Sequence, residues 1–140
     1  MRTGVLFVSP HREDATVLSR MLGSLPVPLE HVADLRHARA TIQAVPYQVI
    51  LTEAILPDGT WRDVVDMARR VTPGPAVIVT DASADARFWA EALNLGAYDL
   101  IAQPFAAAEV RRILSYACSR LSDKSQTAAT AVYWFSHKEA

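Results

Sequence analysis

The sequence predicts an α/β protein: a flavodoxin-like, doubly wound five-stranded parallel sheet of order 2-1-3-4-5 with five helices, in three α/β/α layers. Three observations predict it. Short β-branched runs alternate with longer segments of helical period, as βα units do in sequence. The run Ala76-Val77-Ile78-Val79 is apolar throughout, as in a strand covered on both faces. The second run, Val27-Pro28-Leu29-Glu30-His31-Val32, carries a proline that cannot donate to a ladder and so belongs at a sheet edge. In the order 2-1-3-4-5 the second strand is an edge; in the other common doubly wound order it is interior.

The first strand is Val5-Leu6-Phe7-Val8, followed by a helix with Val17, Leu18, Met21 and Leu22 on one face, ending near Gly23. Ser9-Pro10 suits the start of that helix, serine as N-cap and proline at the first helical position, with Glu13 and Asp14 at the positive end of the dipole. A second helix from about Asp34 to Ala44 places Leu35, Ala38 and Ile42 together, and Pro46 separates it from the third strand, Val49-Ile50-Leu51. Leu56-Pro57-Asp58-Gly59 is a turn by composition; Thr60 and Asp63 then have capping-box spacing for a helix with Trp61, Val64, Val65 and Ala68 inward. Pro73-Gly74-Pro75 ends it. After the fourth strand, a helix carrying Phe88, Ala92 and Leu93 stops at Gly96. The fifth strand is Asp99–Ala102, and the last helix, from about Ala106 to Leu121, turns Val110, Ile113, Leu114, Ala117 and Leu121 to a core.

With 140 residues, 51% of them hydrophobic and 21% charged, the chain holds one globular domain, residues 1–122, and a C-terminal tail, residues 123–140. Cys118 is the only cysteine, which excludes an internal disulfide and a Cys-rich zinc site. A net charge of -1 supplies no field that draws in nucleic acid or acidic lipid, and Arg111, Arg112, Arg120 and Lys124 read as a solvated helix face. The apolar run Gly4–Val8 is too short for a signal segment or a membrane span, so the expected location is the cytoplasm. Single glycines make no phosphate cradle, and the strand-end hydroxyls have only His11 as a conceivable base, so an enzyme is not expected. Residues 123–130 form a polar linker, whereas Ala131-Val132-Tyr133-Trp134-Phe135 is an aromatic segment expected to dock on its own domain, a second copy or another protein.

In open α/β sheets ligands sit outside the carboxyl ends of the strands. Those ends deliver Ser9, Pro10 and His11 from the first strand, Thr52 and Glu53 from the third, Thr80 and Asp81 from the fourth, and Gln103 before Pro104 from the fifth. His11, Glu13 and Asp14 could join Glu53 or Asp81 as metal ligands, but helix-start chemistry accounts for them without an ion.

Residues 3 to 122 resemble the response-regulator receiver domain of the CheY-like superfamily. The resemblance is carried by Val49-Ile50-Leu51-Thr52-Glu53-Ala54-Ile55-Leu56-Pro57-Asp58-Gly59, by Ala76-Val77-Ile78-Val79-Thr80, and by Ala92-Leu93-Asn94-Leu95-Gly96-Ala97 followed by Gln103-Pro104-Phe105, in the family's order and spacing. It implies a site in which two acidic residues and an aspartate hold Mg²⁺, the aspartate accepts a phosphoryl group from a histidine kinase, and a hydroxyl and a lysine contact the phosphate. Those positions fall on Ser9, Pro10, Glu53, Thr80 and Gln103, and the aromatic switch position of the fifth strand on Leu100; only Thr80 matches.

A serine and a proline cannot replace a carboxylate pair for Mg²⁺, so metal binding is expected to be lost, leaving no cofactor. Without the metal and the lysine, little positive charge remains to stabilise phosphoryl transfer. Asp81 is expected to add a second carboxylate near Glu53. Glu53 itself is expected as a solvated carboxylate bonded to Thr80 or Gln103, with imitation of a phosphorylated aspartate as the alternative.

The expected function is an atypical receiver domain of two-component signalling in bacteria, a phosphorylation-independent protein–protein interaction module. The alternatives are a residual phosphoacceptor at Glu53 or Asp58, and a small-ligand sensor in the strand-end pocket. The resemblance places the interaction face on the fourth helix, fifth strand and fifth helix, with Trp89, Tyr98, Arg111 and Arg112. A homodimer is expected through this face or through Tyr133, Trp134 and Phe135 of the tail, with no nucleic-acid or membrane partner.

Overall fold

The computed structural model describes residues 4–23, 25–72 and 74–120. Pro73, Leu121, Lys124 and the whole predicted tail, with Tyr133, Trp134 and Phe135, lie outside the described residues. The chain runs β1 (Val5–Val8), α1 (Arg12–Leu22), β2 (Leu29–Val32), α2 (Leu35–Ala44), β3 (Val49–Glu53), β4 (Ile55–Leu56), β5 (Gly59–Thr60), α3 (Trp61–Arg69), β6 (Ala76–Asp81), α4 (Ala86–Asn94), β7 (Asp99–Ala102) and α5 (Ala107–Arg120).

The main sheet is parallel throughout, in the order β2-β1-β3-β6-β7, which is the predicted 2-1-3-4-5. Pro28 stands just ahead of the edge strand, where its missing N–H leaves no ladder bond unmade; its carbonyl accepts the Val5 N–H at 2.9 Å. Alternating side chains feed two apolar layers. Leu6, Val8, Ile50, Val77, Val79 and Leu100 pack with α2, α3 and α4, while Val5, Phe7, Val49, Leu51, Ile78 and Ile101 pack with α1 and α5.

Helix starts are closed by side chains. Asp34 accepts the His37 N–H at 2.8 Å, Asp85 accepts the Phe88 N–H at 2.8 Å, and Thr60 with Asp63 forms the predicted capping box.

Several expectations are corrected. Helix α1 begins at Arg12 with His11 as N-cap, not at Ser9-Pro10, because Ser9 is wholly buried at the sheet end. Val17 points to solvent; the inward arc of α1 is Ala15, Leu18 and Leu22. The predicted turn at Leu56–Gly59 lies within a small antiparallel hairpin, β4 pairing with β5. Its Asp58 carboxylate accepts the N–H groups of Leu35 and Arg36 at 2.8 and 3.0 Å, adding a second cap to α2. Trp89, expected on the interaction surface, is 4% exposed and belongs to the core beneath α4, because the helix turns Trp89 and Ala92 fully inward and leaves Phe88 and Leu93 half-buried.

Candidate functional site

Strand register and pleat place the site. Val8 pairs with Thr52, so Ser9 follows beside Glu53, and Glu53 pairs with Thr80. One pleat earlier, Phe7, Leu51, Ile78 and Ile101 all face the α1–α5 layer, so Ser9, Glu53, Thr80 and Gln103 continue on that same face at the carboxyl ends of four neighbouring strands. Of the strand-end residues expected to line one pocket, Ser9, Glu53, Thr80 and Gln103 share this face.

Its bonding differs from expectation. Glu53 is not solvated: its side chain is 12% exposed, and its partners are Ser9 and His11, not Thr80 or Gln103. The Ser9 hydroxyl donates to Glu53 Oε2 and accepts the His11 N–H at 2.9 Å. His11 Nδ1 lies 3.1 and 3.2 Å from the two Glu53 oxygens. Behind them, His31 Nε2 donates to the Ser9 carbonyl at 2.7 Å. Asp14, in the first turn of α1, completes the cluster, with Oδ2 3.9 Å from His11 Nδ1. The hydrogen bond to Glu53 and its negative charge hold the His11 pKa above the usual imidazole value, with Asp14 and Glu13 acting in the same sense. Partial burial, then the Glu53 charge, pushes the Asp14 carboxyl up.

Two polar atoms in the row are buried without a partner among the described residues, Thr80 Oγ1 and Gln103 Nε2. Asp81 does not reinforce the charge at Glu53. It continues the Val77–Val79 face, on the other side of the sheet, and its carboxylate accepts the Ser83 N–H at 3.0 Å. Leu100 is buried in the α2–α4 layer, Pro10 is exposed, and the Gln103-Pro104 bond is cis. On the expected interaction face, Tyr98 is half-buried, Arg112 is exposed, and Arg111 Nε donates to the Met21 carbonyl at 2.8 Å, tying α5 to the end of α1.

Sequence reasoning missed two residues here. His31 buttresses Ser9; its place beside Phe7 across the edge ladder was the available signal. Ile55, 69% exposed in β4, sets an apolar side chain two residues beyond Glu53, and periodicity gave no sign of it. As for Mg²⁺, positions 9 and 10 offer one hydroxyl, already donating to Glu53, and no carboxylate, so these residues are a poor match for a hard octahedral ion. Among the described residues no helix is long and apolar enough to cross a membrane.

No protein-family model matches the chain. The response regulator protein PilR of Pseudomonas aeruginosa is 24% identical over 116 residues, which are 83% of this chain and 26% of PilR, so the chain spans about a quarter of that relative. Solved structures share the architecture. The signal receiver domain of a putative LuxO repressor protein from Vibrio parahaemolyticus aligns with a TM-score of 0.80 at 23% identity, covering 87% of this chain and 94% of that one. The receiver domain of an HD domain-containing protein from Pseudomonas fluorescens Pf-5 gives 0.77 at 20% identity over 89% and 93%. The beryllofluoride-activated NtrC4 receiver domain dimer gives 0.76 at 23% identity over 84% and 98%. The fold is therefore that of signal receiver domains.

Proposed function

We propose that this chain is a receiver-type domain of bacterial two-component signalling that works through protein–protein recognition without aspartyl phosphorylation. One observation carries the reading: the carboxylate at the acceptor position, Glu53, is already engaged by the Ser9 hydroxyl and the His11 imidazole. A phosphoryl group entering there has to break those bonds, and it meets no acidic pair to hold Mg²⁺ and no lysine at position 103. Mg²⁺ binding, catalysis and a resident cofactor are accordingly absent from the proposal. Recognition falls to the α4–β7–α5 face, through Tyr98 and Arg112, and to the aromatic segment 131–135, with a second copy or another cytoplasmic signalling protein as partner. The dimeric NtrC4 receiver domain supports self-association as the first case to examine.

The test is a fluorescence titration of the full chain with Mg²⁺ and beryllofluoride, with mass spectrometry after acetyl phosphate. A flat trace and no added phosphoryl mass are expected; a saturable Mg²⁺-dependent change, or a phosphate on Glu53 or Asp58, refutes the reading. Light scattering across concentration then measures self-association, with and without residues 123–140.

A second reading rests on Thr80 Oγ1 and Gln103 Nε2. Buried donors without partners favour a polar small ligand that accepts from them, making the pocket a sensor. A thermal-shift screen separates the two, because a ligand at 100 times its Kd adds about 2.7 kcal/mol of stability. The absence of any hit across a broad set of polar metabolites removes the sensor.

A further inference from the structure

We propose that His11, Asp14 and Glu53 form a binding site for a divalent transition ion, with Zn²⁺ as its reference. This goes beyond the recognition role above and does not depend on it.

The first support is geometric. One donor atom from each of the three side chains lies within 4.8 Å of the others, with His11 Nδ1 at 3.1 Å from Glu53 Oε2 and 3.9 Å from Asp14 Oδ2. Donors about 2.1 Å from a tetrahedral zinc stand about 3.4 Å apart, so the cluster closes on an ion with small side-chain rotations. The Ser9 hydroxyl holds Glu53 through Oε2, the kind of outer support that orients metal-bound carboxylates, and the ion takes the place of the direct contact between His11 Nδ1 and Glu53 Oε1. His11 is 57% exposed, which gives an ion direct access.

The second support is independent of the cluster. Thr80, wholly buried, is the register neighbour of Glu53 on the same face of the sheet, and its Oγ1 has no partner. Three protein donors leave a tetrahedral ion one open position, which water fills. On this proposal such a water, held beside Glu53, is the partner assigned to the Thr80 hydroxyl.

The donor set also selects the ion. An imidazole with two carboxylates suits Zn²⁺ and its neighbours in the transition series, whereas Mg²⁺ calls for an all-oxygen shell. Two carboxylates facing one imidazole leave negative charge that a cation neutralises.

The experiment is calorimetric titration of the full chain, stripped with a chelator, using Zn²⁺ alone and then Mg²⁺ alone. One-to-one Zn²⁺ binding is expected, undisturbed by a large excess of Mg²⁺. His11→Asn and Asp14→Asn are each expected to weaken it roughly tenfold or more. Both variants should fold: the His11 side chain makes no cap bond, asparagine is itself a good N-cap, and Asp14 is partly exposed on α1. His37→Asn, which removes the other histidine paired with a carboxylate among the described residues, is expected to leave the affinity unchanged. The proposal is overturned if no saturable binding occurs, if both site variants bind as the parent does, if His37→Asn abolishes binding, or if Mg²⁺ competes. No phosphoryl group or mimic is present, so failure here leaves the beryllofluoride result untouched, and the reverse.

Discussion

Asp58 offers the most direct quantitative test of how this end of the molecule is built. The residue occupies the tight connection between β4 and β5, yet its carboxylate reaches across sequence to the start of α2 and accepts the Leu35 and Arg36 N–H groups at 2.8 and 3.0 Å. Replacing a capping side chain by alanine typically costs about 0.5–2 kcal/mol. Here two first-turn donors lose a charged acceptor, which argues for the upper half of that range, while Asp34 still holds the His37 N–H and limits the fraying. Asp58→Ala is therefore expected to lower stability by about 1.5–2 kcal/mol. Asp58→Asn keeps one acceptor oxygen and should lose about half as much, chiefly the attraction between charge and helix dipole. Urea unfolding followed by far-ultraviolet circular dichroism reads both, as a lower midpoint at unchanged slope. An Asp58→Ala variant within about 0.3 kcal/mol of the parent refutes the capping role and frees the carboxylate for other chemistry.

Three further outcomes follow from the same structure. Leu100→Ala empties a fully buried position in the α2–α4 layer and is expected to destabilise by about 3 kcal/mol in the same unfolding assay. Gly96→Ala places a Cβ at φ +111°, 2.2 Å from Arg69 Nη2, which donates to the Leu95 carbonyl; a loss of about 2 kcal/mol is expected, mostly backbone strain. The backbone and side-chain bonds from His37 hold the Asp34 carboxyl below its ordinary value of 3.8, so its contribution to stability is present above that value and is lost as pH falls below it. Asp34→Ala should make the acid limb of the stability profile shallower, with no such change on the alkaline side.

Signals confined to a few neighbouring residues were read well where they were caps and turns, and one class of misreading came from contacts between distant residues. Pro28 helped to choose between the two common strand orders, and the strand it precedes is the edge strand. Thr60 and Asp63 announced α3 through three-residue spacing that no tertiary contact had to supply. Ser9-Pro10 carried equally good helix-start chemistry and yet does not start the helix. The Ser9 hydroxyl is claimed instead by Glu53, 44 residues away, and no local pattern encodes that partner. Asp81 and Trp89 show a second limit. Each was assigned to the wrong side of its element, and on a strand or helix one residue decides the face. Ser9, Glu53, Thr80 and Gln103 were legible as strand ends, and the parity that separates them from Asp81 follows only from the strand bounds and register of the structure.

On the proposed reading, the chemistry of position 53 determines how such a domain can be regulated. Glutamate is one methylene longer than the aspartate of the receiver pattern, and at this site that length takes its carboxylate to the Ser9 hydroxyl and the His11 imidazole. The neighbouring hydroxyl, Thr80, is left without a partner, and Leu100, in the next strand, is an aliphatic side chain fixed in the core. On that reading a covalent phosphoryl group would have to displace the bonds that Glu53 already makes, and would find no ring at position 100 to move. Any change of state must come from something that binds two conformations with different affinity, because a ligand shifts an equilibrium only by that difference. The remaining inputs are a cation at His11, Asp14 and Glu53, a polar molecule at Thr80 and Gln103, or a protein on the α4–β7–α5 face. Each acts by mass action, so the response of this domain should follow the concentration of its partner instead of the activity of a kinase.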